Sequence, residues 1–372
     1  MGGIGLVCMM ACAAGADAWW NPEWAFRQRV SLAAAELTED LVDFPVTILL
    51  DDGLFAFSRA QADGRDLRVV SSDGSLLDFE MVKWSSDKAE IHVFVPRIAA
   101  GVSGQYFDLY YGNPTAAALP SAPRWDSRYR LVMHLNGDLD DAARGGVAAT
   151  AEGNVAIGEA ARFQGDPAFL RVVPEKIAGL GEQITVVVRF RVDGGPSVQT
   201  LASGKRFQEP QDWFNFGLKT PRIVHTNAVS RDRQAPELNP EGISAGAWHS
   251  AIVVYDARNN SRTICIDGTV LQRDSALPGP LEIQEMRIGR GVLHFDPWQF
   301  SGAMDEVRLS DIARSDSWIR AEAACLAGGV NSFLAIGAPE AFGKPKPAPP
   351  PFDLVAPPDG MASRARKAIS VQ

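Results

Sequence analysis

Four aspartates and a few aromatic side chains are the residues here whose types and spacing could do chemistry. Asp138, Asp140 and Asp141 fall within five residues, inside the acidic, glycine-bearing loop Gly137 to Gly146. Clustered carboxylates of this kind offer the oxygen donors that a hard cation such as calcium takes. Asp305 is a different case. Along Ala303 to Ser310 the residues Ala303, Val307 and Leu309 share one parity with Asp305, whereas Met304, Glu306 and Arg308 share the other. A two-residue period is a strand, and it turns Asp305 toward the apolar side. A carboxylate facing a core costs several kcal/mol unless it finds fixed partners: backbone N–H groups, an arginine or a bound cation. If the acidic loop packs beside Asp305, all four aspartates could hold a structural calcium ion. If it does not, the loop acids solvate a turn and Asp305 accepts backbone N–H bonds.

Trp213 and Trp298 lie in polar, loop-like surroundings, Gln211-Asp212-Trp213-Phe214 and Phe295-Asp296-Pro297-Trp298. An indole face there can stack on a sugar ring or anchor a protein partner, or it can cover the edge of its own core. His225 and His294 could add hydrogen bonds at the same rim. The five histidines, at 92, 134, 225, 249 and 294, are scattered with no Cys/His spacing, and each can be read as a packing or surface residue.

Reaction chemistry finds less support. A glycanase needs two acids flanking the scissile bond. Glu282 and Glu285 fall on opposite faces of a strand, as do the adjacent Asp305 and Glu306. The sequence holds no Gly-x-Ser-x-Gly elbow, no phosphate loop and no His-Glu-x-x-His, so we expect a non-catalytic protein.

The elements that must position these residues are strands. In the first third, Phe44, Val46, Ile48 and Leu50 share a parity, as do Leu77, Phe79 and Met81, and Ile91, Val93 and Val95, with turns at Asp51-Asp52-Gly53, Asp63-Gly64 and Asp73-Gly74 between them. Short strands at close spacing predict a β-sandwich over residues 19–122. Pro120 to Arg128 reads as a linker. Beyond it, Leu131 to Leu135, Ile184 to Val192, Phe214 to Leu218, Ala251 to Tyr255 and Thr263 to Gly268 predict a second all-β unit over 128–338, with Ile184, Val186, Val188, Phe190 and Val192 as its central strand.

The ends of the chain have other compositions. Met1 to Ala18 combine a short apolar run, Ile4 to Ala14, with Ala16-Asp17-Ala18 ahead of Trp19, and predict a secretion signal with no further membrane span after its cleavage. Cys8 and Cys12 would leave with it; Cys265 and Cys325 would remain, as one disulfide or none. Residues 339–372, with Pro345, Pro347 and Pro349 to Pro351, predict a disordered spacer. The formal net charge of −9 argues against nucleic acid as a partner and favours solubility.

Two stretches carry resemblances. Trp248-His249 before a strand, Ile266-Asp267-Gly268 at a hairpin tip, Ile288-Gly289 and the run Phe300 to Ile319 resemble the laminin-G-like, concanavalin A-like jelly roll. Trp19-Trp20-Asn21, the strand Ile91 to Pro96 and Tyr110-Tyr111-Gly112-Asn113-Pro114 resemble the bacterial domain of unknown function 2341. The resemblances imply an all-β chain: an N-terminal β-sandwich, then a jelly roll, then the Pro-rich tail. They imply an exported envelope protein, periplasmic, surface-bound or secreted, whose partner is a glycan or an envelope protein. Relatives of the first module sometimes continue into a MotA/TolQ/ExbB-type proton channel, which implies a second role as the structural ectodomain of a transport assembly. Some jelly rolls of this kind are glycan hydrolases. Fold does not choose among these roles.

Overall fold

The computed structural model describes residues 18–119, 124–205, 213–219, 222–228, 243–274, 280–292, 298–328 and 333–343. Residues 1–17 of the expected secretion signal, and most of the expected tail, lie outside them.

The first module contains β1 (Phe26–Leu32), β2 (Leu41–Asp51), β3 (Arg68–Ser71), β4 (Phe79–Trp84), β5 (Lys88–Ile98) and β6 (Gln105–Tyr111). β1, β3 and β6 form one antiparallel sheet and β2, β5 and β4 another. Between them lies an apolar core built from the expected parities, with Val46 opposite Val93 and Ile48 opposite Ile91 in register. Trp24 packs outside it with Val70 and Tyr110, and Trp19 and Trp20 join that cluster.

The second module contributes β7 (Tyr129–Met133), β8 (Ala149–Ile157), β9 (Ala161–Val172), the one-turn α1 (Pro174–Ile177), β10 (Gln183–Val192), β11 (Val198–Lys205), β12 (Trp213–Lys219), β13 (Arg222–Ala228), β14 (Trp248–Asp256), β15 (Ser261–Ile266), β16 (Thr269–Asp274), β17 (Glu285–Ile288), β18 (Gly302–Ser310) and α2 (Asp316–Ala327). Its strands follow the order β13-β12-β11-β17-β9-β18-β10-β14-β15-β16, with β7 on β18 and β8 on β9. Ile184, Val186, Val188, Phe190 and Val192 all enter one core, beside Phe163, Phe216 and Phe300. The chain is therefore all-β with sandwich sheets, as the alternation predicts.

Two further short strands, β19 (Leu334–Ile336) and β20 (Glu340–Ala341), return to the first module and pair with β1. They come from stretches read in the sequence as the end of the jelly roll and the start of the tail. The second module is thus inserted between β6 and β19 of the first.

The expected inward parity of Asp305 is corrected by a β-bulge. Arg189 pairs with Glu306 and Phe190 with Met304, so two residues of β18, Asp305 and Glu306, oppose one of β10. A bulge inserts one unpaired residue and reverses the alternation beyond it. Met304 thereby joins Val307 and Leu309 in the jelly-roll core, and the Asp305 carboxylate meets the Arg189 guanidinium instead.

α2 is the other departure from a strand-only reading. Ser315 caps it, its Oγ accepting the Trp318 N–H at 3.3 Å, and the chain turns out of it at Gly328, at φ 78°. One side of α2, Ile319, Ala323 and Leu326, covers Val187, Ile252 and Val254 on the outer face of the jelly roll. The other, Trp318, Ala321, Ala324 and Cys325, joins the core of the first module. A helix apolar on both sides is a buried helix, and this one wedges the modules together. Cys325 lies on one side of it and Cys265 against the other; both are buried free thiols.

Candidate functional site

The face of β18 that the sequence reads as polar is not exposed: all nine of its residues are buried. The first module covers it. Thr47 on β2, and Glu90 and His92 on β5, belong to the polar parity of their own sheet and meet Glu306 and Arg308 on β18, Glu322 on α2 and His134 just after β7. Each side's polar stripe is therefore the other's lid.

Arg308, with no exposed surface, is the organising cation. Its Nε donates to Glu306 at 2.7 Å, its Nη1 to Glu322 at 2.9 Å and its Nη2 to Thr47 Oγ1 at 3.0 Å. Its guanidinium carbon sits 4.9 Å from the Trp125 ring centroid. His134 Nδ1 lies 2.8 Å from Glu306, and its Nε2 lies 3.4 Å from Glu80 without a hydrogen bond. His92 Nδ1 lies 2.9 Å from Thr47 Oγ1, and its buried Nε2 has no hydrogen-bond partner, with Glu90 Oε1 3.7 Å away. Lys83 Nζ stands 3.3 Å from the other oxygen of Glu90.

Burial and charge act on these groups in opposite senses. Burial pulls the His134 imidazole down, but the charge and hydrogen bond of Glu306 outweigh it and hold the imidazole up to about 10. Burial pushes Glu306 up, yet His134 and Arg308 hold it well below the usual carboxylate range. Glu90 is raised by burial and then by Glu306, and His92 is lowered by burial, His134 and Arg308. Asp305 is raised to about 7 by burial, with Arg189 opposing and Glu90 reinforcing.

The residues picked out from sequence lie elsewhere, apart from Asp305. Asp138 accepts the Asp140 N–H at 3.0 Å, a turn contact. Asp141 is buried, accepts the N–H groups of Val132 and Ala143, each at 3.0 Å, and pairs with Lys176 at 2.5 Å. Asp305 is clamped by Arg189, one of the three kinds of partner its burial called for. Among the described residues, the group within metal-ligating reach of one another is Glu90, His92, His134 and Glu306. Trp298 is half-buried, at a left-handed φ of 34°, and its carbonyl accepts the Thr200 N–H at 2.7 Å. Trp213 stands in β12 opposite Lys205 and Ala228, and His225 in β13 opposite Phe216. His294 lies outside the described residues.

Sequence reasoning missed His92 and His134. One signal was available: Glu90 and His92 at i and i+2 put an acid and an imidazole on one face of a strand otherwise built to be buried. Their meeting with His134 depends on how the modules dock, which no local pattern encodes.

Comparison with known proteins matches the described geometry. Residues 63–124 match the domain of unknown function DUF2341, and residues 171–320 match the concanavalin A-like lectin/glucanases superfamily. Among solved structures, the chain is similar to domain 4 of AbnA, an extracellular arabinanase from Geobacillus stearothermophilus in complex with arabinotriose (17% identity, 53% of this chain and 98% of that one, TM-score 0.42). It is also similar to the CBM40 of the Ruminococcus gnavus IT-sialidase bound to α2,3 sialyllactose (11% identity, 39% of this chain and 84% of that one, TM-score 0.34). A third similarity is to the NanB sialidase of Streptococcus pneumoniae (15% identity, 47% of this chain and 28% of that one, TM-score 0.36). No curated protein matches the chain. The order of the two matched families follows the order of the two modules: a DUF2341 domain precedes a domain of the concanavalin A-like lectin/glucanases superfamily.

Proposed function

We propose that this is an exported, non-catalytic binding protein of the bacterial envelope whose jelly roll recognises a glycan. The observation that carries the reading is the match of residues 171–320 to a superfamily of lectins and glucanases, on a module whose sheets are closed around one continuous core. The described acids on its strands support the binding rather than the hydrolytic branch of that superfamily. Glu285 is held by Arg171, Arg287 and Lys205 and Glu306 by Arg308 and His134, and both stay below the usual carboxylate range. A carboxylate bonded to guanidinium groups is a poor general acid, because its proton is already lost. Trp298, half-buried and fixed through its backbone, is our candidate stacking residue; Trp213, His225 and His294 complete the proposed rim. An envelope protein is the other class of partner, and the same test separates the two.

The test is a glycan array probed with the full chain and with Trp298→Ala, in calcium-free buffer and with calcium added. Saturable binding to one glycan class, lost in the variant at unchanged melting temperature, supports the reading. Calcium-dependent binding would support an ion at Asp138, Asp140 and Asp141. Release of reducing sugar, or an array that stays blank while an envelope protein is captured, would overturn it.

A further inference from the structure

We propose that the seam between the two modules is a binding site for a divalent transition metal of the zinc class, held by Glu90, His92, His134 and Glu306. The ion would lock the modules together.

Geometry supplies the first argument. One donor atom from each of the four residues lies within 4.8 Å of all the others. Ligands around a tetrahedral zinc ion stand about 3.3 Å apart, at metal–ligand distances of roughly 2.0–2.1 Å. Of the four, His134 is the partly exposed one, and a rotation of its side chain would narrow that gap. Two donors come from the first module, Glu90 and His92, and two from the second, His134 and Glu306, so neither module alone carries the full set.

An unsatisfied donor supplies the second. His92 is fully buried, and its Nε2 makes no hydrogen bond. A buried polar atom without a partner costs about 1–3 kcal/mol, so its persistence calls for an explanation. Thr47 Oγ1, 2.9 Å from Nδ1, can accept the ring N–H there, which leaves the Nε2 lone pair directed into the cluster. A hydrogen bond to the far ring nitrogen is how proteins orient a metal-binding imidazole. The buried Nε2 of His134 likewise makes no hydrogen bond, with the Glu80 carboxylate 3.4 Å away.

Donor type supplies the third. Two imidazoles among the donors select zinc and its neighbours over calcium and magnesium, which take oxygen.

The test uses the full chain, stripped with a chelator and dialysed. Zinc titrated into it is expected to bind at one equivalent and raise the melting temperature, with calcium and magnesium giving no shift. Cobalt(II) is expected to give the visible absorption of a four-coordinate N/O site. His92→Phe, which fills the ring's volume, and the near-isosteric Glu90→Gln are both expected to lose the zinc shift and the cobalt band. If His92→Phe does not fold, Glu90→Gln alone decides. A wild-type chain without a cobalt band, or a zinc shift that survives in Glu90→Gln, overturns the proposal.

Discussion

His92 and His134 stack face to face, their ring centroids 4.8 Å apart and their planes 17° from parallel, although one belongs to β5 of the first module and the other follows β7 of the second. Trp125 closes the stack, 5.3 Å from His92 and 6.0 Å from His134. Rings from two sequence-distant units in van der Waals contact mean that neither unit presents a finished surface at the seam alone.

The modules should therefore unfold together. Trp318, Ala324 and Cys325 of α2 lie in one apolar cluster with Phe44, Ile48 and Val93 of the first module. Urea denaturation followed by tryptophan fluorescence and by thiol labelling should give coincident midpoints. Burial pushes the Cys265 and Cys325 thiols up to about 12, so neither should react with maleimide before that transition. Two resolved transitions would separate the modules.

Arg308→Ala should be among the most damaging single changes. It strands Glu306 and Glu322 in a dry seam, and breaking a buried ion pair from one side costs about 3–5 kcal/mol. Replacing Arg308, Glu306 and Glu322 together by apolar residues of similar size should cost less than the single change, since no charge is left without a partner. Chemical denaturation of both variants orders them, and the reverse order would refute this account.

His249 should tie part of the stability to pH. Its Nδ1 lies 2.8 Å from Asp267, and that bond holds the imidazole above its usual 6.5, against the lowering effect of burial. A group whose folded value is raised stabilises fully below its unfolded value, and that stabilisation is lost as pH rises through the folded value. Melting temperature measured upward from about pH 6 should fall more steeply for the wild type than for Asp267→Asn. Parallel curves would show that the contact contributes nothing.

Gly64→Ala should destabilise the first module by about 1–3 kcal/mol, the usual cost of overpacking. The residue sits at φ 68°, and a Cβ there would come within 2.5 Å of the Trp84 ring. Gly74→Ala is the control: φ is 89° with nothing within 4 Å of the added carbon, so only the backbone penalty remains. Equal losses at the two sites would remove Trp84 from the explanation.

Much of this architecture was legible in advance because most strands have one wet and one dry face, or an uninterrupted apolar run. Ile184 to Val192 and Phe44 to Leu50 announce their periods, and the structure places both in strands of matching extent. Legibility failed where a second layer supplied the missing half of the environment. Glu306 and Arg308 look like solvent-facing residues because a strand carries no record of what docks on its outer side. The bulge at Asp305 reverses a parity through a single inserted residue, and α2 lacks the polar face by which a surface helix is recognised. Ser315-Asp316 ahead of Trp318 and Ile319 was the one local clue to it.

Because β19 and β20 close the sheet against β1, a chain threaded outward from its N-terminus delivers the last pieces of its first module at the end. Until Leu334–Ile336 arrives, one flank of β1 has backbone groups with no ladder partner, beside a jelly roll that is already complete. Completion of the sheet along β1 must wait for translation to pass the second module, and loss of the chain from Phe333 onward would strip β1 of both of these partners.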